Sequence, residues 1–279
     1  MSLGENMSEA LVTYKADDRV GIITLTRPSK LNAINAAMKE QLVARFEEAE
    51  LDKNTSVVIL NAEGRSFCVG YDIDPPDRNV ARDDPRFWEP RLRACFDCTF
   101  AAWSISKPVV ASVQGHVLGG GCELAMLSDL TIAADNAQFG EPEVRFSHLG
   151  PLMIMPWIIG LKRARELLYT GDLIDANTAL QFGMINKVVP ADELQERSMN
   201  YARRLSLISP EALRMGKLSI NRGAEMAGLR AAMESDVDMF IGLYATKTQV
   251  GLEFDELVRE KGLKAALQWR DQQFRNAPL

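Results

Sequence analysis

Three short apolar segments, each followed directly by a loop that contains glycine, constrain the fold of this chain most. They are residues 56–61 (SVVILN), 109–114 (VVASVQ) and 130–134 (LTIAA), and each is almost wholly apolar. Runs of this kind are typical of strands that are buried on both faces of a sheet. Because loops after buried strands often carry reactive side chains on a rigid scaffold, these loops are the first candidates for a functional site.

Strand-like and helical patterns alternate along roughly the first half of the chain. Two β-branched runs, residues 11–16 and 19–26, predict a hairpin, and apolar residues at helical spacing predict a helix from Asn35 through Leu51. Residues 75–90 are rich in Pro, Asp and Arg and predict an irregular segment, followed by a helix to about Ile105. The alternation predicts an α/β fold.

The character of the sequence changes from about Asp192, after which no strand-like run occurs. We therefore expect an α/β core over residues 1–205 and an all-helical C-terminal region over residues 206–279. An apolar stripe in this region either packs on the protein's own core or forms a subunit interface. The helical patterns cover residues 192–207, 210–223, 225–246 and 253–269, and the stripe consists of Leu229, Met233, Val237, Phe240, Ile241 and Tyr244.

Charge and hydropathy exclude several classes of protein. The formal net charge is −6 and the isoelectric point is near 5.2, which argues against a non-specific nucleic-acid binder. No uninterrupted apolar stretch is long enough to cross a membrane, and the N-terminus resembles no secretory signal. These observations predict a cytoplasmic protein.

The cysteines predict structural thiols rather than a disulfide framework or a metal site. There are four, and the only close pair is a lone C-x-x-C motif, Cys95 to Cys98, without a second pair. Neither His116 nor His148 stands at a spacing that would complete a set of zinc ligands. A redox or metal role for the pair is the alternative.

Three successive glycines, Gly119 to Gly121, precede a predicted helix that carries Glu123 in its first turn. Glycines let the backbone approach a ligand closely, and the first amides of a helix have no partner within it. Such a helix end binds a phosphate, a carboxylate or a developing oxyanion. Glu123 would repel a phosphate, so a carbonyl that becomes negative during reaction fits better. A plain turn is the alternative.

Two more carboxylates stand close together at Glu141 and Glu143, separated by Pro142. The fixed backbone of proline allows one of them to point inward while the other faces solvent. Glu123 and Glu143 could divide acid and base work if their surroundings separate their pKa values. The alternative is a solvated loop.

Six motifs in register resemble the crotonase family, also called the enoyl-CoA hydratase/isomerase superfamily, over nearly the whole chain. They are Arg27-Pro28-x-x-Leu31-Asn32-Ala33, Phe67-x-x-Gly70-x-Asp72-Ile73, Gly115-x-x-x-Gly119-Gly120-Gly121-x-Glu123-Leu124, Phe139-Gly140-x-Pro142-Glu143, Tyr169-Thr-Gly-Asp172 and Ala179-x-x-Phe182-Gly183-Met184-Ile185.

The resemblance implies a crotonase-like spiral of ββα turns with a helical C-terminal region that builds homotrimers, often paired into hexamers. It implies acyl-CoA thioesters as substrates, with no cofactor besides the coenzyme A of the substrate. By position, it assigns the oxyanion hole to the main-chain N–H groups of Tyr71 and Gly120 and a contact with coenzyme A to Ser29, Lys30 and Leu31.

The two glutamates of the hydratase members fall on Glu123 and Glu143, so the resemblance favours an enoyl-CoA hydratase. Glu143 would deliver a proton to Cα, while Glu123 would activate the water that adds to Cβ. The rival within the family is a double-bond isomerase, or another hydrolase or lyase. The non-enzymatic alternatives are an RNA-binding or CoA-binding relative and a nucleotide-binding protein.

The chain departs from the hydratase pattern around the expected acyl pocket. Bulky residues follow Glu143, and Arg145, His148 and Trp88 are expected to shape the pocket. His148 is either catalytic or a loop histidine that bonds to the backbone. Residues 74–76 (DPP) replace a lysine that commonly contacts the adenine side of coenzyme A.

Overall fold

A computed structural model describes residues 10–73, 83–246 and 248–275. Within them, one sheet has the order β1-β2-β3-β4-β6-β9, and a smaller sheet has the order β5-β7-β8. In the larger sheet β1 is antiparallel to β2 and the other neighbours are parallel. The strands are β1 (Val12–Asp17), β2 (Val20–Leu25), β3 (Val57–Ala62), β4 (Val109–Val113), β5 (His116–Leu118), β6 (Leu130–Ala134), β7 (Gln138–Gly140), β8 (Ile174–Asp175) and β9 (Lys187–Val189).

Helices cover the larger sheet and form the C-terminal region, which confirms the predicted α/β class. They are α1 (Ala36–Leu51), α2 (Pro85–Ser104), α3 (Gly120–Leu127), α4 (Met155–Ile159), α5 (Leu161–Thr170), α6 (Ala176–Phe182), α7 (Leu194–Leu205), α8 (Pro210–Met226), α9 (Leu229–Ala245), α10 (Gln249–Lys261) and α11 (Leu263–Arg275). Short 3-10 turns occupy Pro28–Lys30, Pro142–Phe146 and Ala191–Glu193.

The apolar strands β3 and β4 lie at the centre of the larger sheet because both of their faces are buried. Val58 and Leu60 of β3 belong to a core with α1, α2 and α3, whereas Val57 and Ile59 pack on the other face with α7. β4 and β6 belong to this sheet, and the strands that directly follow them, β5 and β7, pair in the smaller one. The loops that follow β5 and β7 therefore lie side by side.

The predicted first helix is confirmed as α1. Asn35 caps it, since its side chain accepts a hydrogen bond of 2.9 Å from the main-chain N–H of Met38. Met38, Leu42, Phe46 and Ala49 are the residues that it buries. Their spacing places them on one face, which packs against the sheet.

Two boundaries predicted from the sequence are wrong. The irregular segment was expected to reach residue 90, but α2 begins at Pro85; residues 75–82 of that prediction lie outside the described part of the chain. Proline is tolerated in the first turn because the amide there has no helical partner. The helix expected over residues 253–269 is two helices, because Gly262, with φ of +82°, ends α10 before α11 begins.

The C-terminal region packs directly on the core. Leu229, Met233, Val237 and Phe240 of the apolar stripe are buried within this chain, where α9 lies against α2. The Lys217 ammonium of α8 is also buried, and it donates hydrogen bonds to Asp129 (2.8 Å) and to two main-chain oxygens of the core. Among the described residues, no helix is long and apolar enough to span a membrane.

Candidate active site

The glycine run turns the chain from β5 into α3. Gly119 has φ of +51°, a conformation that favours glycine, and its N–H donates to the main-chain oxygen of Gly140 at 2.9 Å. A Cβ on Gly120 would lie 2.6 Å from the ring of Tyr71, and one on Gly121 would lie 2.7 Å from Cys68. The glycines are therefore required by close packing against the Cys68–Tyr71 segment.

That segment runs beside β5 and brings Tyr71 to the start of α3. Cys68 pairs with Val117, and the N–H of Leu118 donates to the main-chain oxygen of Cys68 at 2.9 Å. Within the described residues, neither the N–H of Tyr71 nor that of Gly120 donates a main-chain hydrogen bond. Both amides predicted for an oxyanion hole thus lie at adjoining turns, with their donor capacity unused by the backbone.

Glu123 is fully buried in the first turn of α3. Its Oε2 accepts a hydrogen bond of 2.9 Å from the Tyr71 hydroxyl, and its Oε1 accepts one of 3.0 Å from the N–H of Leu152. Burial raises the pKa of Glu123 to about 8, while these two hydrogen bonds oppose the shift. The carboxyl group is therefore held in one orientation and titrates close to neutral pH.

Glu143 reaches the same glycine turn from the 3-10 turn Pro142–Phe146. Its Oε1 is 2.7 Å from the position that a Cβ on Gly119 would occupy, and the side chain is partly buried. Burial raises the pKa of Glu143 to about 7, against the hydrogen bond from its own main chain and the charge of Arg270. Two carboxyl groups that titrate near neutrality thus lie near the glycine turn, Glu143 against Gly119 and Glu123 in the first turn of the helix that begins at Gly120, an arrangement suited to proton transfer.

A third carboxyl group, Glu141, lies beside this pair, and its place was not anticipated from the sequence. It is 2 % exposed, and neither of its oxygens has a hydrogen-bond partner among the described residues. A Cβ on Gly150 would lie 3.0 Å from Glu141 Oε2 and 2.4 Å from Glu123 Oε1. Burial, with the charges of Glu143 and Glu123, raises the pKa of Glu141 well above its usual range. Neither Glu141 nor Glu143 faces solvent freely, contrary to the expectation that Pro142 would turn one of them outward.

Two of the three residues expected in the acyl pocket meet at one ring. Trp88 and His148 each contact Tyr244 edge-on, with ring centroids 5.0 and 4.5 Å away, and the Tyr244 hydroxyl donates to the main-chain oxygen of Leu149 at 2.8 Å. His148 Nδ1 lies 3.0 Å from the main-chain oxygen of Phe146, as expected of a loop histidine that bonds to the backbone. In the sequence, Tyr244 stands out only as part of the apolar stripe, and its contacts with Trp88 and His148 are not predicted.

Arg145 does not join this aromatic cluster. Its Nε donates to the main-chain oxygen of Thr170 at 2.7 Å, its guanidinium pairs with Asp172, and it lies 4.2 Å from the ring centre of Phe274 in α11. The charge is therefore directed toward the loop after α5, because a carboxylate and a carbonyl oxygen satisfy it there.

The expected coenzyme A segment borders the loop that carries Tyr71. Ser29 and Lys30 are exposed in a 3-10 turn, and the main-chain oxygen of Leu31 accepts a hydrogen bond of 3.2 Å from the N–H of Val69. Buried Asn32 anchors the segment, since its side-chain amide donates to the main-chain oxygens of Glu63 and Ser66. Residues 74–76, where an adenine contact was in question, lie outside the described part of the chain.

The cysteines are buried and unpaired. Burial raises the pKa of Cys68 to about 12 and that of Cys95 to about 11. Thiols with pKa values in this range are protonated at neutral pH and are poor nucleophiles. Their surroundings agree with the structural role predicted for them.

Comparisons of sequence and of structure give the same result. The sequence profile of the enoyl-CoA hydratase/isomerase family matches residues 15–274. A probable enoyl-CoA hydratase of Mycobacterium bovis is 34% identical over 250 residues, 87% of this chain and 93% of that protein. The 2,3-dehydroadipyl-CoA hydratase of Escherichia coli is 32% identical over 283 residues, 96% of this chain and 99% of that protein. An enoyl-CoA hydratase/isomerase from Xanthobacter autotrophicus superposes with a TM-score of 0.90 at 34% identity, covering 96% and 99% of the two chains. The structural match confirms the predicted crotonase-like spiral.

Proposed function

Because this chain belongs to the enoyl-CoA hydratase/isomerase family, we propose that it is an enoyl-CoA hydratase, which adds water reversibly across the 2,3 double bond of an enoyl-CoA thioester. One observation carries the proposal: the Glu143 carboxyl group reaches Gly119, and the Glu123 carboxyl group, on the helix that begins at Gly120, is close enough that, besides burial, the charge of Glu143 raises its pKa. Hydration needs an acid and a base on one substrate, and these two carboxyl groups can supply them.

The N–H groups of Tyr71 and Gly120 bind the thioester oxygen in this mechanism. When water attacks Cβ, electron density moves from the double bond to the carbonyl oxygen, which becomes enolate-like. Two amides that the backbone leaves unpaired stabilise this oxygen, and the N-terminal end of α3 adds positive potential. The thioester and these donors carry the electronic change, so we propose no cofactor beyond the coenzyme A of the substrate.

Glu123 and Glu143 transfer the protons. Glu123 accepts a proton from the water whose oxygen bonds to Cβ, and Glu143 donates its proton to Cα. Return of a proton from Glu123 to Glu143 restores the starting state. With pKa values of about 8 for Glu123 and about 7 for Glu143, a pair that holds one proton near neutral pH keeps it mainly on Glu123. The difference of about one unit leaves roughly a tenth of such pairs with the proton on Glu143, and this is the form from which hydration starts.

The test is hydration of crotonyl-CoA, followed by loss of its conjugated double bond. Glu123→Gln and Glu143→Gln are each expected to slow hydration by about 100-fold or more, since each removes an acid–base group. Glu47→Gln on the exposed side of α1 is the matched control. Two results together would replace the hydratase proposal by the isomerase. The unsubstituted protein would have to be inert toward crotonyl-CoA, and the Glu123→Gln variant would have to turn over a 3-enoyl-CoA.

Subunit association belongs to the same proposal. Large apolar side chains lie exposed along α8, with Met215 64%, Ile220 73% and Met226 89% exposed in the single chain. Such a surface is typical of a subunit contact. We propose a homotrimer or a dimer of trimers in the cytoplasm, where unpaired thiols persist. Light scattering coupled to gel filtration measures the assembly.

A further inference from the structure

The side chain of Tyr71 connects the oxyanion turn to Glu123. Its hydroxyl donates a hydrogen bond of 2.9 Å to Glu123 Oε2. Its ring lies against Gly120, where a Cβ would come within 2.6 Å of the ring atoms. The ammonium of Lys39 in α1 lies 5.3 Å from the ring centre. The ring therefore fills the space between α1 and the first turn of α3.

The main chain of Tyr71 is held as firmly as its ring. Tyr71 pairs with Ile34, whose N–H donates to the oxygen of Gly70 at 2.8 Å and whose oxygen accepts from the N–H of Asp72 at 3.0 Å. These bonds lie on either side of Tyr71 and fix the direction of its own N–H. One residue thus has both its amide and its hydroxyl oriented by the fold.

The Glu123 carboxyl group is held at both oxygens. Leu152 donates to Oε1 and Tyr71 to Oε2, at 3.0 and 2.9 Å. A carboxylate oxygen accepts two hydrogen bonds, so each oxygen keeps one site for water. Loss of either donor would leave the group free to rotate or to bind water in a second orientation.

We propose that Tyr71 is a positioning residue for Glu123: its hydroxyl fixes the carboxyl group that activates water, while its own N–H binds the thioester oxygen. This inference rests on the proposed hydration. Tyr71 then links the oxyanion donor, which is its own N–H group, to the base, Glu123. A movement of Tyr71 would shift both of them together.

The hydroxyl stays protonated at neutral pH and remains a donor there, since burial and the charge of Glu123 raise the pKa of Tyr71 well above its usual value. Donation favours the ionised form of Glu123 against the effect of burial. The other titratable groups around this pair are the carboxyl groups of Glu141, Glu143 and Asp236, the Tyr244 hydroxyl, the thiols of Cys95 and Cys98, and the Lys39 ammonium. All but Lys39 disfavour ionisation of Glu123 when they are charged.

The test is Tyr71→Phe, which removes the hydroxyl and keeps the ring. Hydration of crotonyl-CoA by this variant is expected to slow about tenfold at neutral pH, with KM within about twofold of the original value. The acidic limb of the kcat profile is expected to move up by about one pH unit, because a hydrogen bond to the ionised carboxylate is lost. Tyr14→Phe is the matched control, since Tyr14 donates to the carboxylate of Asp52 at 2.8 Å at the edge of the sheet.

An acidic limb that stays in place in Tyr71→Phe, or that moves equally in Tyr14→Phe, would overturn the inference. If Tyr71→Phe does not fold, 3-fluorotyrosine inserted at position 71 strengthens the donor, and the limb is then expected to move to lower pH. Infrared titration of the Glu123 carboxyl group, assigned by difference from Glu123→Gln, needs no substrate. An unsubstituted enzyme that is inert toward crotonyl-CoA refutes the hydratase proposal, whereas a Glu123 titration unchanged by Tyr71→Phe refutes the role of Tyr71.

Discussion

Replacing Glu141 by methionine is expected to stabilise the protein, by an amount that grows with pH. The side chain is 2 % exposed and its oxygens have no hydrogen-bond partner among the described residues. A buried polar group without a partner costs about 1–3 kcal/mol. Methionine matches the unbranched shape of glutamate without the polar atoms, so the free energy of unfolding is expected to rise by about 2 kcal/mol below about pH 4.5, where Glu141 is largely protonated in both states, and by more at higher pH.

The pH dependence follows from the raised pKa of Glu141. In the unfolded chain the carboxyl group ionises near its ordinary value of 4.5, while in the folded protein it remains protonated to higher pH. The unfolded state therefore releases a proton first, and the free energy of unfolding falls by about 1.4 kcal/mol per pH unit in that interval. This contribution to stability is complete below pH 4.5 and is lost as pH rises. The Glu141→Met variant has no carboxyl group at this position and does not lose this stability. The difference in free energy of unfolding between the two proteins therefore grows as pH rises above 4.5.

Urea unfolding of both proteins between pH 5 and pH 8, at one protein concentration, measures this difference. The ~2 kcal/mol expected at the acidic end corresponds to a rise in Tm of roughly 4–8 °C for a chain of this size, and the rise is expected to be larger at pH 7. Glu47→Met, at an exposed position of α1, is expected to change the free energy of unfolding by less than about 0.5 kcal/mol at every pH. A destabilised Glu141→Met protein, or a difference independent of pH, would refute the reasoning.

Three further predictions concern the glycine turn, the buried ion pair and the thiols. Gly119→Ala is expected to slow crotonyl-CoA hydration by about 100-fold, because its Cβ would lie 2.7 Å from Glu143 Oε1, whereas Gly216→Ala in the open part of α8 is expected to leave the rate unchanged in the same assay. Lys217→Met leaves Asp129 without its buried partner and is expected to lower the free energy of unfolding by about 3–5 kcal/mol in urea, with part of the loss restored by adding Asp129→Asn. A chromogenic thiol reagent, followed by absorbance, is expected to react with the four buried cysteines only after denaturation. Rapid reaction of the native protein would contradict their burial.

Much of the core is predictable because single patterns determine its elements. Helix α1 has its cap at Asn35 and four apolar residues on one face, so its start and its buried side follow from the sequence. The strands around Val58 and Val110 are equally clear, since an apolar run of that length fits a buried strand. The small sheet is harder, because β5 and β7 have three residues each and too little pattern to identify.

In the site, only the residues that occupy a fixed position in a family motif can be predicted from the sequence. Glu123 and Glu143 follow from the resemblance, and the glycine turn explains how Glu143 lies beside the start of the helix that carries Glu123. The hydroxyl of Tyr71 depends on a contact with Glu123, 52 residues away in the chain, and the burial of Glu141 depends on the fold of the loop that brings Gly150 beside it. No local spacing encodes those contacts, and the direction of Arg145 likewise depends on a partner in a later loop.

The last helix, α11, contributes to the wall behind Glu143: Arg270 lies 5.8 Å from the ring centre of Phe146, and Phe274 receives Arg145. During synthesis on the ribosome, Glu143 emerges long before these residues do. Glu143, the proposed proton donor, therefore stays uncovered on this side until translation is nearly finished. Chains cut short within α11 are therefore expected to lose activity, because Arg270 and Phe274 would no longer cover the turn that carries Glu143.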